Sequence, residues 1–143
     1  MNYSEKLVEA VKGFEGCKLS AYRDSGGTWT IGYGHVSGVK SGMKISYSKA
    51  EEYLRKDLNN AAAQVKALGV CKTQAALDAL TDFVYNLGIK SLQSSTLLQL
   101  IKAGADKEAI QAQFRRWIFC KGKILQGLVK RRDWEARRYY DEI

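Results

Sequence analysis

Residues 14–35 read FEGCKLSAYRDSGGTWTIGYGH and hold two carboxylates that stand apart from the rest of the chain. Between residues 10 and 50 the only acids are Glu15 and Asp24, against six Lys or Arg side chains. The single histidine, His35, closes the segment. Glu15, eight residues, Asp24, five residues, Thr30 is a spacing that could serve acid–base chemistry on one bond. One carboxyl group would protonate a leaving oxygen and the other would handle water, the division of labour that cleaves a glycosidic bond. A surface glutamate beside a turn aspartate has the same spelling, because Asp is common in turns.

Local signals place these residues. Leu7, Val8, Val11 and Phe14 recur at helical spacing, which predicts a helix over residues 3–15 with Gly16 as its stop. Glu15 then falls in the last turn, where the helix dipole disfavours an anion by roughly 0.3–1 kcal/mol. That field, with burial, is expected to raise the Glu15 pKa and suit it to a general acid. Residues 19–23 predict a strand, Asp24-Ser25-Gly26-Gly27 a turn, and residues 28–33 the return strand. Alternation puts Trp29, Ile31 and Tyr33 on the core face and Thr30 on the other, toward Asp24. Gly32 and Gly34 remove bulk there and would let a substrate approach the backbone.

Glu15, Asp24 and Thr30, with Thr-Ile-Gly-Tyr-Gly-His at residues 30–35, resemble the catalytic signature of the phage-type lysozymes, the endolysin or muramidase family (glycoside hydrolase family 24). Phe83-Val84-Tyr85-Asn86-Leu87-Gly88, Ser95-Thr96-Leu97-Leu98 and Gly127-Leu128-Val129-Lys130-Arg131-Arg132 extend the likeness over nearly the whole chain. The resemblance implies hydrolysis of the bond between N-acetylmuramic acid and N-acetylglucosamine in peptidoglycan, with no cofactor. It implies Glu15 as proton donor, and Asp24 and Thr30 placing a water on the opposite face with inversion. It implies Asn86 and Tyr85 as saccharide contacts, with Ser95 a further candidate. Planar amides suit sugar hydroxyls and N-acetyl groups, and aromatic faces suit ring C–H surfaces. It also implies that His35 braces the sheet by hydrogen bonding. Arg131 or Arg132, in the segment that starts the terminal helix, is expected to pair with Glu15, because guanidinium binds carboxylate bidentately. One departure is Cys120-Lys121-Gly122-Lys123, where family members often carry paired glycines.

Whole-chain properties bound the reading. A length of 143 residues allows one domain with a core. The formal net charge of +8 attracts polyanions, whether nucleic acid, anionic membrane or wall polymers. Cys17, Cys71 and Cys120 are odd in number and widely spaced, which opposes a disulfide framework and fits a reducing cytoplasm. With one histidine and no close Cys pair, no metal site is expected. No apolar run reaches membrane-spanning length, and the first sixteen residues read as neither signal peptide nor anchor. In the resembling family a holin opens the inner membrane for such an enzyme. The expected partner is peptidoglycan, without nucleic acid or membrane insertion, and the expected state a monomer made in the host cytoplasm.

Further along, residues 36–47 predict a loop and a short third strand around Met43 and Ile45. Ser48-Lys49-Ala50-Glu51 spells a capping box. The stripe Leu54, Leu58, Ala61, Val65, Leu68, ended by Gly69, predicts one long helix. After it only helical periods are visible. Thr73, Ser94 or Ser95, and Asp106 are candidate caps, and a last helix is expected from about Leu128 to Tyr140. The expected fold is α+β, mostly helical and lysozyme-like by resemblance. A sheet lobe (about 13–50) and a helical lobe (about 51–143 plus the first helix) would be joined by the long helix, within one domain over 1–143. The basic run from Arg115 to Arg138, with Trp117 and Trp134, is the main rival signal and would fit a nucleic-acid surface. No helix-turn-helix, zinc-finger or RNA-binding motif accompanies it. A lysozyme homologue that binds peptidoglycan without cutting it is the other alternative.

Overall fold

The apolar stripe of the first helix forms where its spacing predicts: α1 spans Glu5–Glu15, and Leu7, Val8 and Val11 are fully buried. The computed structural model describes residues 1–143. It divides into two units, Val8–Asn60 and Met1–Leu7 with Ala61–Ile143.

In the first of these units, β1 (Lys18–Arg23) pairs antiparallel with β2 (Trp29–Gly32), placing Tyr22 opposite Thr30 and Arg23 opposite Trp29. The expected third strand is reduced to a single bridge, Ser20 to Lys44, flanked by backbone hydrogen bonds from Ala21 to Met43 and from Ile45 to Leu19. Residues 36–42 contain two left-handed glycines, Gly38 and Gly42, so the chain curls before it can extend further. Helix α2 (Tyr47–Ala67) carries Ala50, Leu54 and Leu58 inward. Its cap is Ser46, whose Oγ accepts from the Lys49 N–H at 3.1 Å, two residues ahead of the capping box expected at Ser48. Only Ser48 has a glutamate three residues on, Glu51, so the box spelling pointed two residues too late, and the helix starts at Tyr47 with Ala50 lying against Gly32.

The other unit is helical: α3 (Gln74–Leu87), α4 (Ile89–Gln93), α5 (Thr96–Ala103), α6 (Lys107–Phe114) and α7 (Gln126–Tyr139). Thr73, Ser95 and Asp106 cap α3, α5 and α6 through their side-chain oxygens. α3 packs along α7 over a core that includes Leu77, Leu80, Phe83, Leu97, Phe114 and Ala136. Phe83 meets Phe114 and Trp117 edge-on, with centroids 6.3 and 5.3 Å away. Two features depart from the helical periods expected after residue 72. One is the five-residue α4; the other is a small ribbon, β3 (Phe119–Cys120) with β4 (Lys123–Ile124). The fold is the mostly helical α+β arrangement expected, and no helix is long and apolar enough to cross a membrane.

Candidate active site

Glu15 is the last residue of α1. Gly16 follows at φ 66°, and its N–H donates to the Lys12 carbonyl at 2.9 Å, so the helix stops there. The Glu15 carboxyl group lies on Gly34. A β-carbon at Gly34 would fall 2.8 Å from Glu15 Oε1 and 3.0 Å from Cδ, and Gly34 adopts φ 85°. The glycine expected to admit substrate to the backbone thus makes room for the acid itself. Its position is fixed by a tight turn in which Ile31 and His35 exchange backbone hydrogen bonds, each 2.9 Å.

His35 holds that turn against α2. It is buried, with Nδ1 2.6 Å from Asp57 Oδ2 and its ring stacked on Tyr53 at 4.1 Å between centroids. Tyr53 and Asp57 are four residues apart and share a face of α2. Lys12 on α1 pairs with Glu51 on α2 and lies over the Tyr33 ring at 5.7 Å. The end of α1, the turn and the first half of α2 are therefore bound to one another around Glu15.

Asp24 occupies the β1–β2 turn. Its Oδ1 accepts from the N–H groups of Gly26 and Thr28, both at 2.9 Å, and its own N–H donates to the Thr28 carbonyl. One carboxylate oxygen is thereby fixed by the turn, and the side chain stays exposed. Thr30 is 4% exposed, and its Oγ1 donates to the Thr28 carbonyl at 2.9 Å. Alternation sets Thr30 on the face opposite Ile31; both residues are buried, so that second face is covered rather than open. The hydroxyl's donor is committed, and its lone pairs remain for accepting from a water.

Tyr22, opposite Thr30, was not singled out by the spacing. Burial pushes its phenol pKa up, and the charges of Glu15 and Asp24 push it further the same way. The phenol is thus a neutral group that feels both carboxylates, with the Lys18 ammonium 4.2 Å from its ring centre. The only signal for it in the sequence was its register place beside Thr30.

The remaining expected residues lie in the helical unit. Tyr85 and Asn86 sit half-buried near the end of α3, where the Gly88 N–H closes the helix on the Val84 carbonyl. Asn86 Oδ1 accepts from Arg132 Nη2 at 2.8 Å. Ser95 is buried; its Oγ donates to the Leu92 carbonyl at 2.6 Å and accepts from the Leu98 N–H at 3.0 Å. That hydroxyl is occupied as a helix cap. Arg131 and Arg132 are buried on α7. Arg131 grips Asp82 with Nε and Nη2, at 3.0 and 2.8 Å for the shorter contacts. Arg132 Nη2 also donates to Glu135 Oε2 at 2.9 Å, and its guanidinium lies over the Phe83 ring. Arg132 Nε and Glu135 Oε1 are 2.8 Å apart but not aligned as a hydrogen bond. Arg138 Nε donates to Asp78 Oδ2 at 3.1 Å, and its Nη2 lies 3.0 Å from the same oxygen. Three arginines of the basic run are therefore interior partners of acids, and Arg115 and Arg137 reach Asp133 at the surface.

Two outcomes follow from this geometry. Gly34→Ala should lower hydrolytic activity by about 10²-fold, the scale of an ångström-size misplacement of a reacting group. The methyl group evicts the Glu15 carboxyl, which can swing aside, so the fold should survive with a loss of about 1–2 kcal/mol from the left-handed backbone. Gly38→Ala has the same backbone penalty but meets nothing within 4 Å, and should leave activity intact. Comparing the two variants' rates and unfolding midpoints separates the causes.

Glu135 gives a pH-dependent outcome. Burial raises its pKa well above the usual carboxyl range; Arg132 opposes this, and sharing a hydrogen bond with Asp82 adds to it. The native state keeps a proton that the unfolded chain releases near pH ~4.3. Stability should therefore fall as pH rises above that value toward the native pKa. Glu135→Gln should flatten that slope in urea unfolding followed across pH.

A family model described as phage lysozyme matches residues 12–135. The endolysin of Bacillus phage B103 is 42% identical over 139 residues, which cover 94% of this chain and 52% of that protein. The endolysin of Acyrthosiphon pisum secondary endosymbiont phage 1 is 37% identical over 140 residues, covering 94% of this chain and 95% of the relative. The chain spans about half the length of the first relative and nearly all of the second. A solved endolysin from Escherichia coli O157:H7 phage FAHEc1 superposes with a TM-score of 0.85 at 40% identity, over 100% of this chain and 96% of that one. With a carboxyl at the end of α1, a turn aspartate and a buried threonine in a fold shared over its length with such proteins, the chain belongs to the phage lysozyme family.

Proposed function

We propose that this chain is an endolysin that degrades bacterial peptidoglycan by hydrolysing the β-1,4 bond between N-acetylmuramic acid and N-acetylglucosamine. The seating of the Glu15 carboxyl on Gly34, at the end of α1, carries the reading. A residue whose β-carbon is missing so that an acid can occupy the space has a reason to be there beyond turn geometry. Glu15 protonates the departing sugar oxygen. Asp24, with Oδ1 held by the turn, takes a proton from a water through its other oxygen, and the Thr30 lone pairs help to hold that water. Asn86, oriented by Arg132, and Tyr85 meet the saccharide. Water attacks the anomeric carbon directly, so the configuration inverts.

The enzyme acts on the cell wall. It is made in the host cytoplasm, reaches the wall once a holin has permeabilised the membrane, and works as a monomer. Its charge of +8 favours retention on anionic wall polymers. The anomeric form of the first product, followed by NMR on a soluble glycan fragment, tests the mechanism. The α-anomer is expected; the β-anomer would make Asp24 a covalent nucleophile or ion-pair stabiliser instead.

A further inference from the structure

Tyr22 has no role in the hydrolysis described above, yet β1 sets it among the groups that do. It pairs with Thr30 across the hairpin, so the two side chains leave the same face of the sheet. The next pair has the contact that such a register gives: Arg23 lies over the Trp29 ring, with the guanidinium carbon 5.1 Å from the ring centre. Asp24 follows Tyr22 by two residues, and its N–H still donates to the Thr28 carbonyl, so the pleat continues to it. Tyr22, Asp24 and Thr30 therefore share one face. Tyr22 is half-buried there, and its ring contributes to the cover that leaves Thr30 4% exposed.

The Lys18 ammonium lies over the Tyr22 ring, 4.2 Å from its centre. A cation over the face of a phenol leaves the hydroxyl, which lies in the ring plane, to other partners. Burial and the charges of Glu15 and Asp24 keep the proton on that hydroxyl. It is a neutral donor in the field of both carboxylates.

The attacking water has a place for such a donor. Asp24 Oδ1 is taken by two N–H groups, so the other carboxylate oxygen accepts one proton of the water. The Thr30 hydroxyl gives its proton to the Thr28 carbonyl, so its lone pairs accept the second. Both protons of the water are then committed, and one lone pair is aimed at the anomeric carbon. The other lone pair needs a donor. An ammonium would bind the oxygen more strongly and blunt it as a nucleophile; a neutral phenol orients it at less cost.

We propose that Tyr22 is the third group that holds the hydrolytic water, its O–H donating to the water oxygen and turning the remaining lone pair toward the anomeric carbon. The role rests on the hydrolytic reading given above. As water attacks, its proton passes to Asp24, the new C–O bond forms, the glycosidic C–O bond breaks, and Glu15 protonates the leaving oxygen. The Tyr22 proton stays on the phenol throughout.

Steady-state hydrolysis of a soluble peptidoglycan fragment by Tyr22→Phe tests it. The ring, its cover over Thr30 and the Lys18 contact remain, and only the hydroxyl is lost. kcat should fall about five- to ten-fold, the range of one neutral hydrogen bond, with KM and the unfolding midpoint unchanged. In an Asp24→Asn background the same change should have much less effect. There the turn still fixes the side-chain oxygen, so an amide N–H replaces the acceptor and the water is no longer held for attack. Equal kcat for Tyr22→Phe and the wild type, or a loss confined to KM, overturns the Tyr22 role and leaves the hydrolytic reading standing. A Tyr22→Phe loss that multiplies in full with that of Asp24→Asn also overturns it, since the two groups would then act independently. A wild-type chain that releases no reducing ends overturns the hydrolytic reading and the Tyr22 role together.

Discussion

Glu15→Gln is expected to lower the rate of peptidoglycan hydrolysis by about 10²–10⁴-fold, the usual contribution of a positioned general acid. The amide preserves shape and hydrogen bonding but has no comparable proton to give. Its seat on Gly34 accommodates either group, since the space is set by the missing β-carbon. The fold should be as stable as before or slightly more so, because an anion no longer faces the negative end of α1. Binding to intact sacculi should persist, as the charge of the rest of the chain is unchanged. Turnover measured with unfolding and sacculus binding on the same sample would distinguish lost chemistry from lost structure. Near-normal turnover would remove Glu15 from the mechanism.

Arg131→Met should have the largest effect on stability, about 3–5 kcal/mol. Asp82 is fully buried, and Arg131 is 5% exposed. Burial pushes the Asp82 pKa up, but the Arg131 charge, with hydrogen bonds from Glu135 and Arg131, outweighs it and holds the carboxyl below its usual value. Without the guanidinium, an ionised carboxylate would be left in the α3–α7 interface with one cation fewer. A group whose native pKa is depressed stabilises the fold above its unfolded value, near pH ~3.9, and that stability disappears as pH falls through the native pKa. Arg131→Met should therefore be most destabilising at neutral pH and approach the wild type in strong acid. Pairing Arg131→Met with Asp82→Leu should recover much of the loss, since an apolar pair leaves no buried charge behind. Denaturant unfolding of the two single variants and the double variant gives the coupling directly.

Much of the frame was legible in the sequence because it rests on local chemistry. Gly16 stops α1 and puts Glu15 at its end. Thr73, Ser95 and Asp106 cap helices through a hydroxyl or carboxyl three residues from its target amide, a range the chain itself spells out. The capping-box spelling chose Ser48, but the Lys49 N–H goes to Ser46, so that cap was read two residues late. The β3–β4 ribbon escaped because two residues per strand give no alternation to read. The α3–α7 ion network escaped for a different reason. Arg131, Arg132 and Arg138 look like a solvated basic face until Asp78, Asp82 and Glu135 are brought beside them, two of these from a helix about fifty residues earlier. The same limit applies to Gly34. Its missing bulk was legible and read as room for a substrate, but its service to Glu15 depends on where α1 ends in space.

The central claim, that the Glu15 site cuts the glycan of peptidoglycan, is tested most directly by the sugar ends made from purified sacculi. Digestion by the wild-type chain should expose new reducing ends on N-acetylmuramic acid, identified by borohydride reduction and mass analysis, and Glu15→Gln should make almost none. New ends on N-acetylglucosamine, cleavage confined to the peptides, or an equal yield from Glu15→Gln would contradict it.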